Sequence, residues 1–219
     1  MQTLLRVSIL TCCLIFTFIV LVIFFWHKPI FKTAEGNLNY IKHSSRADEN
    51  AGLKKIQSKA LGLKDYAVKN GFNSDRCFMI DMSIPSGRQR FFIYSFETGK
   101  VENAGLVTHG AGSITGGDEL YFSNVPGSSC TSLGKYKIGN AYQGRFGLAY
   151  KLHGLDKTNS KAFERFVVLH GHSCVPADEV YPLPICPSLG CPTVAPEFLK
   201  KLAGYIDASG KPVLLEIYK

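Results

Sequence analysis

Beyond Gly71 the chain is written in short runs of β-branched and aromatic residues, "RCFMIDMSI" (76–84), "QRFFIYSF" (89–96), "VENAGLVTH" (101–109), "FGLAYKL" (146–152) and "RFVVLH" (165–170). Gly, Asn and Pro separate them, and Pro85-Ser86-Gly87 and Glu97-Thr98-Gly99 punctuate the first two as turns do. So many strand-length runs predict a mainly β fold, an antiparallel sandwich or barrel, with a few peripheral helices. One predicted helix, "APEFLKKLAG" (195–204), has Pro196 near its start and Gly204 at its end, and "KPVLLEIYK" (211–219) reads as a closing strand. Upstream, Leu53, Ile56, Ala60, Leu63 and Ala67 recur at helical steps, with acidic residues first and Gly71 as a stop, so residues 47–74 form a helical lead-in.

The amino-terminal part has a different composition. "VSILTCCLIFTFIVLVIFFW" (7–26) is an uninterrupted apolar run of 20 residues, long enough to span a bilayer as a helix. Arg6 precedes it, Trp26, His27 and Lys28 follow it, and no small-residue cleavage site closes it. The reading is an uncleaved signal anchor over residues 1–28, giving membrane attachment, with a secreted chain as the alternative if the segment is removed. Residues 29–46 lack any period and read as a linker. The net charge of +8 is spread thinly, with no basic run and no nucleic-acid motif, so nucleic acid is not an expected partner. Of seven cysteines, Cys12 and Cys13 lie in the apolar run, leaving an odd set: Cys77, Cys130, Cys174, Cys186 and Cys191. In an exported domain this suggests up to two disulfides and one free thiol.

The stretch "FVVLHGHSC…CPSLGCP" (166–192) concentrates chemistry: His170, His172, Cys174, Cys186 and Cys191. Three readings are open. A structural zinc site typically shows two ligand pairs at two-to-four-residue spacing; here His170 and His172 are one residue apart and prolines crowd the loop, so no metal or other cofactor is expected. A disulfide between Cys174 and Cys186 would staple the Pro-rich loop and leave Cys191 over. In the third reading Cys191 is a nucleophile. Gly190 before it allows a sharp turn and close approach of a carbonyl, nearby N–H groups can stabilise an oxyanion, and His170, ending an apolar strand, can exchange the thiol proton.

"VVLHG" followed by "SLGCP" resembles the L,D-transpeptidase catalytic domain, or YkuD-like, family, whose active site runs from a histidine across a spacer to Ser or Thr, any residue, Gly and Cys. His170 has 17 residues before Ser188 and His172 has 15, and both fit the spacer. The family's histidine ends a strand and precedes Gly or Ser, which favours His170 with Gly171; His172 is the runner-up. "FSNVPGSSCTSLGKYKIG" (122–139) and "GLDKTNSKAFERFVVLHG" (154–171) also look like blocks of the family's murein branch, so the resemblance covers residues 75–219. Where family members carry Arg beside the Ser, or His between Ser and Gly, this chain has Pro187 and Leu189, which unsettles substrate anchoring more than the nucleophile.

The resemblance implies a β-sandwich or barrel of the transpeptidase type and a peptidoglycan L,D-transpeptidase. Cys191 would form a thioester with a stem tetrapeptide, releasing D-Ala, and a neighbouring amine would complete a 3→3 cross-link. With water as acceptor the same Cys-His chemistry would make an L,D-carboxypeptidase or a hydrolase freeing murein-linked protein. Ser188 would hydrogen-bond within the site, the N–H groups of Gly190 and Cys191 would face the oxyanion, and His109, Ser123, Asn124 and Ser132 would line the substrate groove. Stem peptides are the implied partner. The implied location is the bacterial envelope, inner-membrane anchored with the catalytic domain in the periplasm.

Overall fold

The computed structural model describes residues 51–117 and 119–219. The apolar run at 7–26 and the linker at 29–46 lie outside the described residues. Among the described residues no helix is long and apolar enough to cross a membrane. The described residues from 56 onward form one compact unit, which holds the sheet.

The first described element is helix α1, residues 51–69. Eight strands follow: β1 (Arg76–Asp81), β2 (Phe91–Ser95), β3 (Lys100–Gly105), β4 (Gly134–Gly144), β5 (Gly147–Gly154), β6 (Val168–Gly171), β7 (Thr193–Val194) and β8 (Leu214–Tyr218). A 3-10 turn, Ala111–Ser113, lies between β3 and β4, and helix α2, Pro196–Asp207, between β7 and β8. All eight strands join one sheet in the order β3-β2-β1-β8-β4-β5-β6-β7. The expected β-rich domain with a few helices is therefore present, as a single sheet and not two. Most pairings are antiparallel, but β1 with β8 and β6 with β7 are parallel.

The central strands are buried on both faces, which explains their unbroken apolar lettering. In β1, Phe78 and Ile80 join one core, while Cys77 and Met79 join another. The second core is closed by Ile56, Ala60, Leu63 and Ala67, the predicted face of α1. The first gathers β4, β5 and β6 through Tyr136, Tyr150 and Leu169, with Phe198, Leu199 and Leu202 of α2. Each fully buried Leu, Ile or Phe contributes roughly 1.5–3 kcal/mol, so this core sets the position of β6 firmly.

Two differences from the sequence reading bear on the site. Strand β4 was not among the predicted runs: Tyr136 and Ile138 alternate with lysines as a strand requires, but Gly139, Asn140 and Gly144 dilute the pattern. The predicted strand 101–109 stops at Gly105, and Val107 retains only an isolated bridge to Val194. That break frees residues 106–133 to fold as a long segment over the end of the sheet.

Candidate active site

The parallel pairing of β6 with β7 builds the site. Parallel neighbours need a long connection, here residues 172–192, which contain the bonded pair Cys174–Cys186. The register sets His170 opposite Thr193 and Gly171 opposite Val194. Cys191, two residues ahead of Thr193, is thereby returned beside the start of β6. Its Sγ lies 3.8 Å from the Phe166 carbonyl oxygen. Cys77 and Cys130 are free but buried, whereas Cys191 is free and half-buried.

A closed set of hydrogen bonds holds the cysteine turn. Ser188 Oγ donates to the Cys191 carbonyl at 2.7 Å and accepts from the Gly190 N–H at 3.1 Å. Thr108 Oγ1 donates to the same carbonyl at 3.1 Å and accepts from the Thr193 N–H at 3.1 Å. Gly190 has φ of 108°, and a Cβ there would stand 2.7 Å from the Cys130 carbonyl oxygen, so only glycine fits. The Gly190 N–H is committed to Ser188, which leaves the Cys191 N–H, without an acceptor among the described residues, as the expected oxyanion donor still free.

His170 is oriented at both ring nitrogens. Nδ1 lies 3.1 Å from the Gly171 carbonyl and Nε2 lies 3.0 Å from Thr193 Oγ1. A carbonyl oxygen only accepts, so Nδ1 carries the proton and Nε2 accepts from the Thr193 hydroxyl, which must turn away, toward the Cys191 carbonyl at 3.5 Å, before Nε2 can take a proton. Phe146, at the β4–β5 tip, stacks on the imidazole with centroids 5.2 Å apart and meets His172 edge-on at 5.1 Å. Burial lowers the His170 pKa below 6.5, opposed by the Gly171 hydrogen bond and reinforced by His172. Burial also raises the Cys191 pKa above 9.0, opposed by a backbone hydrogen bond from Val168 and the charge of Arg165. Both shifts favour the neutral forms, thiol and imidazole. Cys191 and His170 are not hydrogen-bonded to one another.

The remaining predicted residues divide. His172 accepts the Cys174 N–H at Nδ1, 3.1 Å, and turns toward the connection. The His109 carbonyl accepts the Ser188 N–H at 2.8 Å, so its main chain supports the cysteine turn. Its buried ring accepts from Arg90 Nη2 at Nδ1, 2.9 Å, and burial beside that guanidinium lowers its pKa to about 4. Asn124 bonds Lys157 O, Ser160 Oγ and the Lys161 N–H, and the Ser123 carbonyl accepts from Arg165, so both tie the 122–131 segment to the turn before β6. Ser132 is turned away into a hydrogen bond with Tyr136, 2.7 Å. Sequence reasoning missed Arg90, Thr108, Phe146, Arg165 and Thr193. Only the two threonines carried a signal, one beside His109 and the other two residues after Cys191. Among the described residues no three His, Cys, Asp or Glu side chains gather as a metal site would require.

The family model for the L,D-transpeptidase catalytic domain matches residues 47–214. The chain belongs to this family. Among solved structures, the helical cell shape determining protein Pgp2 from Campylobacter jejuni is 15% identical, covering 65% of this chain and 48% of that one, with a TM-score of 0.41. A mutant of Enterococcus faecium L,D-transpeptidase is 13% identical, covering 65% and 49%, with a TM-score of 0.40. The L,D-transpeptidase-like chain thus spans about half the length of these structures. None of the curated proteins matches it.

Proposed function

We propose that the protein is a cysteine-dependent L,D-transpeptidase of peptidoglycan. Family membership supports the substrate class, and the observation that carries the chemistry is the half-buried free thiol of Cys191, held on a clamped turn that leads into the strand paired with His170. In this reading a stem tetrapeptide binds with the carbonyl of its third residue over Cys191. The thiol proton passes to His170 Nε2 as Sγ attacks, and the developing oxyanion takes the free Cys191 N–H. Collapse breaks the amide to D-Ala, which leaves with the proton from His170, and a thioester remains. The amine of a neighbouring stem loses a proton to His170, attacks the thioester and regenerates the thiol, leaving a 3→3 cross-link.

Thr193 fixes the imidazole's orientation, and Ser188 and Thr108 hold the carbonyl of the nucleophile's own residue. The reading places the domain in the bacterial envelope, on the periplasmic side of a membrane anchored through residues 7–26. Incubation of the full-length protein with disaccharide-tetrapeptide, with products read by mass spectrometry, tests it. A cross-linked dimer with D-Ala release is expected, and tripeptide alone would mean that water is the acceptor. The His170→Ala variant should lose D-Ala release while His172→Ala keeps it; the reverse would make His172 the base.

A further inference from the structure

The corner between residues 156 and 167 meets the cysteine turn at two points, one at Cys191 and one at Gly190. Phe166, with φ of 55°, is one of two non-glycine residues with positive φ among those described, and that turn aims its carbonyl at Cys191 Sγ. Arg165, one residue earlier, reaches the other side of the cysteine turn. Its Nη1 donates to Ser123 O at 2.9 Å, and its Nη2 donates to Cys130 O at 2.6 Å and to Ser128 Oγ at 3.4 Å. Nη2 also lies 3.3 Å from where a Cβ on Gly190 would be, so the guanidinium abuts the residue preceding the nucleophile.

The three acceptors are uncharged, and among the described residues no carboxylate pairs with Arg165. Its neighbour Glu164 is taken by Lys161 at 3.0 Å. A guanidinium that is half-buried and without a carboxylate partner among the described residues is an unusual object to place against a cysteine turn. Nearby carbonyls fix its position but do not cancel its charge.

We infer that Arg165 is a positioning residue for Cys191: it clamps the 123–130 segment behind the Gly190 turn and supplies the fixed positive charge that stabilises the thiolate once the proton leaves for His170. This rests on Cys191 being the nucleophile. It also accounts for the missing basic residue: with Pro187 and Leu189 in the cysteine motif, the charge comes from the turn before β6. The other titratable groups around the thiol are His170 and His172 from β6 and its exit, Cys130 and His109 with Arg90 from the overlying segments, and the Lys161–Glu164 pair. Arg165 is the charged group that acts on the Cys191 thiol, opposing the effect of burial.

The test is the pH dependence of iodoacetamide alkylation at Cys191 in the full-length, unreduced protein, read on the Cys191 peptide by mass spectrometry, with melting temperatures in parallel. Arg165→Met should move the alkylation midpoint to higher pH and slow reaction near neutrality about ten-fold, the usual scale of one charged neighbour on a thiol. Arg165→Lys keeps the charge but not the fork, so it should melt lower than wild type while holding its midpoint near the wild-type value. A purely structural role predicts that both variants melt lower with midpoints unchanged or moved together, and either result overturns the inference. If Arg165→Met does not fold, a wild-type alkylation rate near neutrality that is insensitive to salt likewise overturns it, whereas a rate that falls with added salt supports it. Because alkylation reads the thiol directly, an Arg165-dependent midpoint in a protein that releases no D-Ala would refute the transpeptidase reading and not this one.

Discussion

Gly190 concentrates several demands in one residue. Its φ of 108° is a region side chains avoid, and the Cys130 carbonyl occupies the space a Cβ would need. Gly190→Ala should cost about 1–3 kcal/mol in stability and, by shifting the adjacent thiol, lower D-Ala release roughly 100-fold; calorimetry and product assays check the two effects separately. His109 makes a different prediction, because its pKa is depressed to about 4 from 6.5. The unfolded chain takes up a proton there before the folded one does. The stability from keeping His109 neutral is therefore full above pH 6.5 and lost as pH falls toward 4, a contribution of about 3 kcal/mol at most. His109→Asn, whose amide oxygen can accept from Arg90, should flatten that part of the stability profile; an unchanged slope between the two pH values would contradict the assignment. Cys191, Ser188 and His170 could be singled out as candidates because glycine, a strand end and a motif spacing are local signals. Arg90, Thr108 and Arg165 were not, since each acts across many residues of sequence and no local pattern marks it.

Among the elements, the β4–β5 hairpin tip and the 172–192 connection both bear on His170 and Cys191. Phe146 shields the imidazole, and burial is the first cause of its lowered pKa. The acid limb of the pH–activity profile should therefore lie below pH 6.5, and Phe146→Ala should move it upward by admitting water; a limb that stays put would show that the stack does not matter. The Cys174–Cys186 bond, 12 residues apart, closes the loop leading to Ser188. Its removal in a Cys174→Ser, Cys186→Ser variant should cost about 2–4 kcal/mol, measured by denaturant unfolding. The helix α1 face was readable from its apolar period, and β1 and β2 from their runs. The parallel β6–β7 pairing was not, because two residues of strand, Thr193 and Val194, give no periodicity to detect. Strand β4 was lost among its glycines although Tyr136 anchors the core.

For the whole molecule, one fold-level fact organises the candidate site: a single sheet whose last edge pair is parallel, so that the long return delivers the Cys191 thiol beside β6, the strand that carries His170. The two cores secure that sheet, and the segment over its end supplies Thr108, the His109 carbonyl and the contacts of Arg165. A β-rich class could be read from the strand runs, but the single sheet and its order depend on β8 inserting between β1 and β4, a pairing between chain ends that strand lettering does not encode. A cysteine-dependent transpeptidase of this kind is acylated at Cys191 and nowhere else. Brief exposure of the full-length protein to disaccharide-tetrapeptide, acid quenching and intact-mass analysis measure this most directly. The predicted result is a covalent adduct of the stem lacking D-Ala, mapped to the Cys191 peptide and absent from Cys191→Ala; D-Ala release undiminished in Cys191→Ala would contradict it.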